Sequence, residues 1–583
     1  MSMRCLAALL SMATLAVPAH AQEEGEEGPE GGGRTRTNHW VAEEPAGRGA
    51  GPVTAEALAA SPTRGDWLHF GGNFQSWRYS PIEELTPAAL PRLRVAWAAQ
   101  TGVSGQLEAS PIVYDGVLYL TSSHNRVLAH DAVTGELLWR YDHQNAKDLR
   151  ICCGPANRGV AIAGDTVLMG TLDAKLVALD RRTGALRWET TIVDHAKGFS
   201  VTSAPLVIGE RAFIGIGGGE YGVRGFFDAY DVSTGERLWR HHTVPAAGEP
   251  GVETWAGNSY ESGGAPTWVT GSYDPSTDTL FWATGNPSPD WNGDVREGDN
   301  LFSDSVLAVD PATGERRWHF QFTPHDVWDY DGNTELFLVE AEIEGETVPL
   351  LAQANRNGYF YVLDRRDGRF LRATQYAHQV NWGTIDPNGR PIVDPGRLPQ
   401  EEDPPRVCPG LAGGNNGAYN SAYSPKTGMI YVPVIESCMS FRKGIVVFIE
   451  GVPYVGGQPQ RVDTLAGKSY GHLAAIDVAT GETAWDYRDP ESMMGGVLTT
   501  AGGVVITGNA RGHVLGFDAE TGEEVWRFNT GSGIRSHPIA YAIDGRVFVA
   551  VGSGGGGGVH YSTGASRMVP EGSTLFVFEL PPR

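Results

Sequence analysis

The sequence predicts an all-β chain folded as an eight-bladed propeller with four-stranded antiparallel blades. Three observations carry that expectation. A short unit recurs: an apolar strand, an Asp, a turn ending Thr-Gly, then a Trp a few residues on. It reads VLAHDAVTGELLW (Asp131 to Trp139), LVALDRRTGALRW (Asp180 to Trp188), DAYDVSTGERLW (Asp231 to Trp239) and LAVDPATGERRW (Asp310 to Trp318). It returns as AAIDVATGETAW (Asp477 to Trp485) and LGFDAETGEEVW (Asp518 to Trp526), with YVLDRRDGRFLR (Asp364 to Arg372) as a copy lacking Trp. Evenly spaced copies recur at roughly 40–55 residues, the period of propeller blades. Glycine fills 77 of 583 positions, about twice the usual share of about 7%, as many tight turns require.

Each copy reads as a hairpin whose Gly supplies a positive φ. Preceding runs such as SPIVYDGVLYLTS and AGDTVLMGTLD complete a four-stranded unit. The recurrent Trp is expected to pack between neighbouring units. Wider gaps, 231 to 310 and 364 to 477, hold extra strands and long insertions.

Ahead of the repeats, Met1–Ala21 has a basic residue (Arg4), an apolar run and an Ala-His-Ala ending, the pattern of a secretory signal. That places the mature chain in the periplasm. The apolar run is too short to span a membrane, and no second long run follows. Residues 22–64 (EEGEEGPEGGGR and beyond) lack periodic apolar positions and read as a disordered linker. Residues 65–583 form the propeller. Four cysteines outlast the signal, Cys152, Cys153, Cys408 and Cys438. An even number in an oxidising compartment suggests two disulfides. No Cys-x-x-Cys-His motif occurs, so no c-type haem is attached to this sequence. The net charge of −24 argues against nucleic acid or anionic membrane as partners. It suits a cation or a basic protein.

The chemistry concentrates in Thr284–Gly332, which carries Asn286, Asp299, Asp304, Asp326, Asp329 and Asp331. Were His325–Asp331 extended, Asp329 and Asp331 would face one side. Two carboxylates there repel unless a cation or a proton lies between them. With the Asn286 amide oxygen they read as hard ligands for a multivalent cation; a solvated acidic loop is the plain alternative.

Taken together, these motifs resemble the quinoprotein alcohol dehydrogenases, eight-bladed propellers that bind pyrroloquinoline quinone (PQQ) and a metal ion at the axis. The resemblance runs from about Asp66 to the C-terminus. It implies that Cys152-Cys153, within ICCGPANRG, is a vicinal disulfide covering one face of the quinone. Trp268, in GGAPTWVTG, then stacks on the other face. Arg158 pairs with a cofactor carboxylate, Glu108 bonds the cofactor rim, Thr202 supplies a hydroxyl, and Asn416 places an amide near the reactive carbonyls. In GGGEYGVRG, Gly218 and Gly219 let backbone approach the ligand. Glu220, Asn286 and Asp329 match the metal ligands, and Asp329 the catalytic base. Arg356, in ANRNGYF, matches the arginine on the quinone oxygen. Cys408 and Cys438 match a second disulfide, closing a loop of about 30 residues and contributing roughly 3 kcal/mol.

Asp331 is the most informative residue. Calcium-using members resemble this motif but carry a small or neutral residue there, and lanthanide-using members carry a second Asp. The resemblance therefore implies a lanthanide site of Glu220, Asn286, Asp329 and Asp331, with calcium as the alternative. It implies oxidation of a primary alcohol to the aldehyde, with electrons leaving to a soluble cytochrome c. Two rivals stand beside it: a calcium-dependent quinoprotein for another alcohol, a polyol or an aldehyde, and a non-catalytic propeller scaffold. The oligomeric state is open, a homodimer included. Gly417 replaces a frequent Trp, Met493-Met494-Gly495-Gly496 replaces a Trp-Gly-Gly, and the Gly-rich loop Gly552–Gly564 is unusually bare. These departures suggest a roomier or more mobile pocket and put a methanol preference in doubt.

Overall fold

The Asp-x-x-Thr-Gly turn is the element from which the fold is built. Each turn follows the third strand of a sheet. Its Asp accepts the backbone N–H groups two and three residues on, as Asp131 does from Val133 (2.9 Å) and Thr134 (2.8 Å) and Asp310 from Ala312 (2.8 Å) and Thr313 (3.1 Å). The glycine that closes it is left-handed, with φ of 78° at Gly135 and 76° at Gly314. A Cβ is excluded there both by conformation and by space, because an indole lies over each.

The structure is a computed structural model that describes residues 39–42, 51–555 and 569–582. These residues all fall within one compact unit. Eight four-stranded antiparallel sheets follow one another, two of them with an added edge strand. Sheet I holds Ile112–Tyr114, Val117–Ser122, Arg126–Asp131 and Leu137–Asp142. Sheet II starts at Ala161–Ala163, sheet III at Leu206–Ile208, sheet IV at Ser272–Asp274 and sheet V at Phe337–Ile343. Sheets VI and VII start at Ala422–Ser424 and Leu498–Thr500. Sheet VIII joins Ile539–Ile543, Arg546–Ser553 and Thr574–Leu580 to Arg94–Gln100 from the other end of the described chain.

Tryptophan ties most of the sheets to the next. A Cβ at Gly184 would meet Trp139 at 2.4 Å, one at Gly235 Trp188 at 2.6 Å, and one at Gly314 Trp239 at 2.7 Å. The same holds for Gly368 under Trp318 (2.5 Å) and Gly522 under Trp485 (2.6 Å). The copy without Trp offers Thr374 to Gly481 instead, at 3.0 Å. Trp97 of sheet VIII covers Gly135 of sheet I at 2.5 Å. Several indole N–H groups also donate to the neighbouring turn, Trp139 to Arg181 O (2.9 Å) and Trp485 to Ala519 O (3.0 Å). The recurrent Trp is thus an inter-sheet residue, as its spacing led one to expect. Of these only Trp139 is fully buried, and removing it costs about 3–5 kcal/mol.

The signal segment lies outside the described residues. Two pieces of the expected linker carry defined structure. His39–Val41 pairs antiparallel with Leu137–Asp142, and Ala55–Ala60 is a helix capped by Thr54, with Leu58 buried. Leu58 and Val53 join the apolar core, which composition alone does not register. Among the described residues no helix is long and apolar enough to cross a membrane.

Candidate active site and metal centre

The segments that lead into the first strand of each sheet deliver one set of site residues. Glu108, Thr202 and Trp268 each stand four residues before such a strand, and Arg158 three. A second set comes from other loops: Glu220 and Asn286 after second strands, Arg356 between Glu346–Ala354 and Tyr359–Asp364, and Asp329 and Asp331 between sheets IV and V.

In the first set, the buried Glu108 carboxylate lies between two guanidinium groups. Arg158 Nη2 is 2.9 Å from Glu108 Oε2, and Arg535 pairs with Oε1. Arg158 Nη1 donates to Thr202 Oγ1 at 2.7 Å, and its guanidinium stacks on the Trp268 ring at 4.7 Å. Arg158, Thr202, Trp268 and Glu108 therefore form one contiguous wall. Cys152 and Cys153 are disulfide-bonded, as are the fully buried Cys408 and Cys438. Cys153 Sγ lies 3.9 Å from Glu220 Oε1, which links the vicinal disulfide to the acidic side of the site. Asn416 Oδ1 accepts the Ala418 N–H at 3.0 Å, so its oxygen shapes its own loop.

In the second set, Arg356 is the centre. Its Nη1 lies 3.1 Å from Asp329 Oδ1 and its Nη2 3.0 Å from Asp331 Oδ2. The other oxygen of Asp331 accepts the Asn286 backbone N–H at 3.0 Å. Close backbone approach makes this possible: a Cβ at Gly285 would stand 2.3 Å from Asp331 Oδ1, and one at Gly219 3.5 Å from Asn286 Oδ1. Gly218 is left-handed (φ 116°), turning the chain so that Glu220 follows in a single short turn. The loop around Asp329 and Asp331 is not extended, contrary to the condition set on the sequence. His325, Asp329 and Asp331 have φ of 52°, 62° and 49°, values that Asp adopts more readily than most residues. Asp326 holds that loop by accepting the Trp328 (2.9 Å) and Tyr330 (2.7 Å) N–H groups. The two carboxylates still meet one guanidinium, by loop curvature rather than strand alternation. Glu220, Asp329 and Asp331 do not bring three ligand oxygens within 4.8 Å of one another.

Burial dominates the electrostatics. It pushes Glu220 up to about 7, with the Asp331 charge adding to the effect. Burial likewise raises Asp329 well above the carboxylate range, against the pull of Arg356, and raises Asp331.

The glucose/ethanol/alcohol dehydrogenase β-propeller domain of the PQQ family matches residues 67–378. The chain is 38% identical to the quinoprotein alcohol dehydrogenase PedH of Pseudomonas putida, across 92% of this chain and 95% of that one. It belongs to the PQQ-dependent alcohol dehydrogenase family. This family consists of oxidoreductases. A second relative is the lanthanide-dependent methanol dehydrogenase of Methylacidiphilum fumariolicum, 34% identical across 90% of this chain and 94% of that one. Among solved structures, a europium-containing methanol dehydrogenase superposes with a TM-score of 0.84 at 32% identity, covering 89% of this chain and 98% of that one. The outer membrane protein assembly factor BamB family matches residues 442–568, a stretch that contains none of Glu220, Asn286, Asp329 or Asp331.

The residues present fit the family's two groups. Buried guanidinium N–H groups stand without partners at Arg158 Nε, Arg356 Nε, and Arg535 Nε and Nη1. Buried unpaired donors of this charge suit the carboxylates of PQQ. On the other side, six buried or partly buried carboxyls (Glu220, Asp290, Asp304, Asp326, Asp329, Asp331) face two guanidiniums, Arg296 and Arg356. Both oxygens of Asp290 and of Asp304 lack hydrogen-bond partners. Such an excess of buried acid calls for a cation.

Several of these residues were missed in the sequence. Arg535 stands four residues before the first strand of sheet VIII, the register of Glu108, Thr202 and Trp268; that register was the available signal. Asp290 and Arg296 gave none. Asp299, counted in the acidic stretch, lies outside the site, where its carboxylate forks with Arg390 at 2.7 and 2.9 Å. At Gly417 a Cβ would meet Asn333 O at 1.9 Å, so backbone packs directly against that position. Met493 and Met494 are both fully buried in apolar clusters. Most of Gly552–Gly564 lies outside the described residues.

Proposed function

We propose that this chain is a periplasmic, eight-bladed PQQ-dependent alcohol dehydrogenase that oxidises a primary alcohol to its aldehyde and uses a lanthanide ion. The eight four-stranded sheets, with Trp97 of the last lying over Gly135 of the first, support the blade number and closure. In this reading Glu108, Arg158, Thr202, Gly218, Gly219, Trp268, Arg356, Asn416 and the Cys152–Cys153 disulfide hold PQQ. Glu220, Asn286, Asp329 and Asp331 hold the ion.

The observation that carries the metal choice is Asp331. It adds a third carboxylate to Glu220 and Asp329, close beside the second, in a region already rich in buried acid. A trivalent ion balances that charge better than a divalent one. Bound there, PQQ supplies the hydride acceptor and the ion supplies Lewis acidity. Asp329 takes the hydroxyl proton of the alcohol. It can do so only when ionised, and burial alone opposes that state. Arg356, at 3.1 Å, favours the ionised form and stands ready to stabilise developing negative charge. Trp268, held against Arg158, keeps one face of the pocket flat and apolar.

The net charge of −24 favours a basic soluble cytochrome c as electron acceptor. Dye-linked alcohol oxidation by apo-protein given PQQ with either La3+ or Ca2+, over a panel of alcohols, tests the proposal. Activity with La3+ is expected. Activity with Ca2+ alone removes the lanthanide assignment, and none with either removes the catalytic reading.

A further inference from the structure

We infer that His378, His472 and Asp486 form a second metal site, apart from the catalytic centre, that takes a divalent transition ion such as Zn2+. One ligand atom from each lies within 4.8 Å of the others. His472 is on Tyr470–Asp477 and Asp486 on Thr483–Asp489, the third and fourth strands of sheet VI. His378 comes from the segment leaving sheet V, three residues past Gln375.

The ligand types and their surroundings both suit such an ion. Two imidazoles, borderline nitrogen donors, beside one carboxylate select zinc-like metals over calcium or a lanthanide. The Asp486 carboxylate spans both rings, with Oδ1 3.0 Å from His472 Nδ1 and Oδ2 against His378 Nε2. The rings stack with centroids 4.0 Å apart and planes 13° from parallel, which aims those two nitrogens at the same carboxylate.

Each imidazole is also oriented through its other nitrogen. His472 Nε2 lies 3.1 Å from Oε1 of the buried Glu436, and His378 Nδ1 2.9 Å from the Tyr470 hydroxyl. Glu436 Oε1 in addition accepts the His378 backbone N–H at 2.7 Å, which fixes the chain that carries the ligand. The Arg488 guanidinium packs on the Tyr470 ring at 3.9 Å and holds it in place. Metal-binding histidines are oriented in this way, by a carboxylate or hydroxyl behind the ligand ring.

An ordinary surface ion pair needs neither the buried carboxylate behind His472 nor two stacked rings on one acid. His378 and Asp486 are exposed while His472 is buried, so an ion can enter from solvent and keep a water as fourth ligand. Binding replaces the protons shared between Asp486 and the rings. The bound ion clips the segment after sheet V onto the rim of sheet VI.

The test uses chelator-treated full-length protein titrated with Zn2+, with metal content measured after gel filtration and Co2+ as a spectroscopic probe. Wild type should bind one more Zn2+ per chain than His378→Ala, or bind it at least about tenfold more tightly. The visible Co2+ spectrum of nitrogen coordination should vanish in the variant, and Zn2+ should raise the thermal midpoint of wild type alone. His378 is exposed, so His378→Ala should keep the native circular dichroism; His472→Gln provides a second variant. Alcohol oxidation by the PQQ-loaded enzyme should be unchanged in His378→Ala, which separates this site from the catalytic one. Equal Zn2+ stoichiometry and affinity in wild type and His378→Ala overturns the assignment.

Discussion

The Asp331 carboxylate lies 3.0 Å from the Arg356 guanidinium, whose other terminal nitrogen is 3.1 Å from Asp329. One buried cation thus serves two acids, and neither acid is fully compensated. The first prediction follows from that shortfall. Asp331→Ala removes one negative charge without disturbing the fork to Asp329. Lanthanum affinity should fall by at least the about 10–100-fold that loss of even an outer-shell partner costs. Calcium-supported turnover should suffer less. Metal titration followed by activity decides it; unchanged lanthanum-dependent rates end the role given to Asp331.

Asp329→Asn keeps the shape and removes the base. With PQQ bound and its absorbance intact, kcat should drop about 10²–10⁴-fold, the usual worth of a positioned general base. Turnover near wild type would show that the proton goes elsewhere.

Gly285 is a more demanding test because it touches no substrate. A Cβ there would stand 2.3 Å from Asp331 Oδ1, a separation real side chains do not tolerate. Gly285→Ala should displace Asp331 and weaken metal binding while leaving PQQ retention and the far-ultraviolet spectrum close to wild type. Equal metal affinity in the variant means Asp331 is not a ligand.

Arg535 shares Glu108 with Arg158 and keeps unpaired buried N–H groups. A charged hydrogen bond contributes about 1.5–3 kcal/mol, so Arg535→Ala should weaken PQQ binding by about 10–100-fold in equilibrium dialysis. An unaltered dissociation constant would leave Arg535 only a structural ion pair.

Acid–base behaviour gives a fifth prediction. Glu220 is raised from 4.5 to about 7, by burial first. Burial also lifts Glu335 to about 7 and Asp326 to about 6. The native state therefore keeps protons that the unfolded chain has already released. Stability of the metal-free protein should fall as pH rises from about 4.5 to about 7. Metal binding needs Glu220 ionised, so affinity should rise over the same interval. Thermal midpoints from pH 4.5 to 7.5, with and without La3+, check both signs.

Much of this was written in the chain. The Asp-x-x-Thr-Gly turn and its Trp are local codes. The Asp accepts neighbouring N–H groups, the Gly takes a left-handed φ, and the Trp covers the next glycine, so the sheets and their order follow from residues near one another. The motifs around Glu220, Asn286 and Asp329 were legible for a similar reason, each being a short run with unusual residues. Tertiary structure alone decided the rest. Arg535 lies more than 400 positions from Glu108 and meets it only because sheet VIII takes a strand from each end of the described chain. Gly417 reads as lost volume, yet the Asn333 backbone packs directly against it. His378 and His472 stand 94 positions apart (472 − 378) and stack only because a segment leaving one sheet crosses the rim of the next. Local hydrogen bonding and sterics act over a few residues and can be read in order. Charge balance and close packing depend on what the fold brings together from far along the chain, which no stretch of sequence displays by itself.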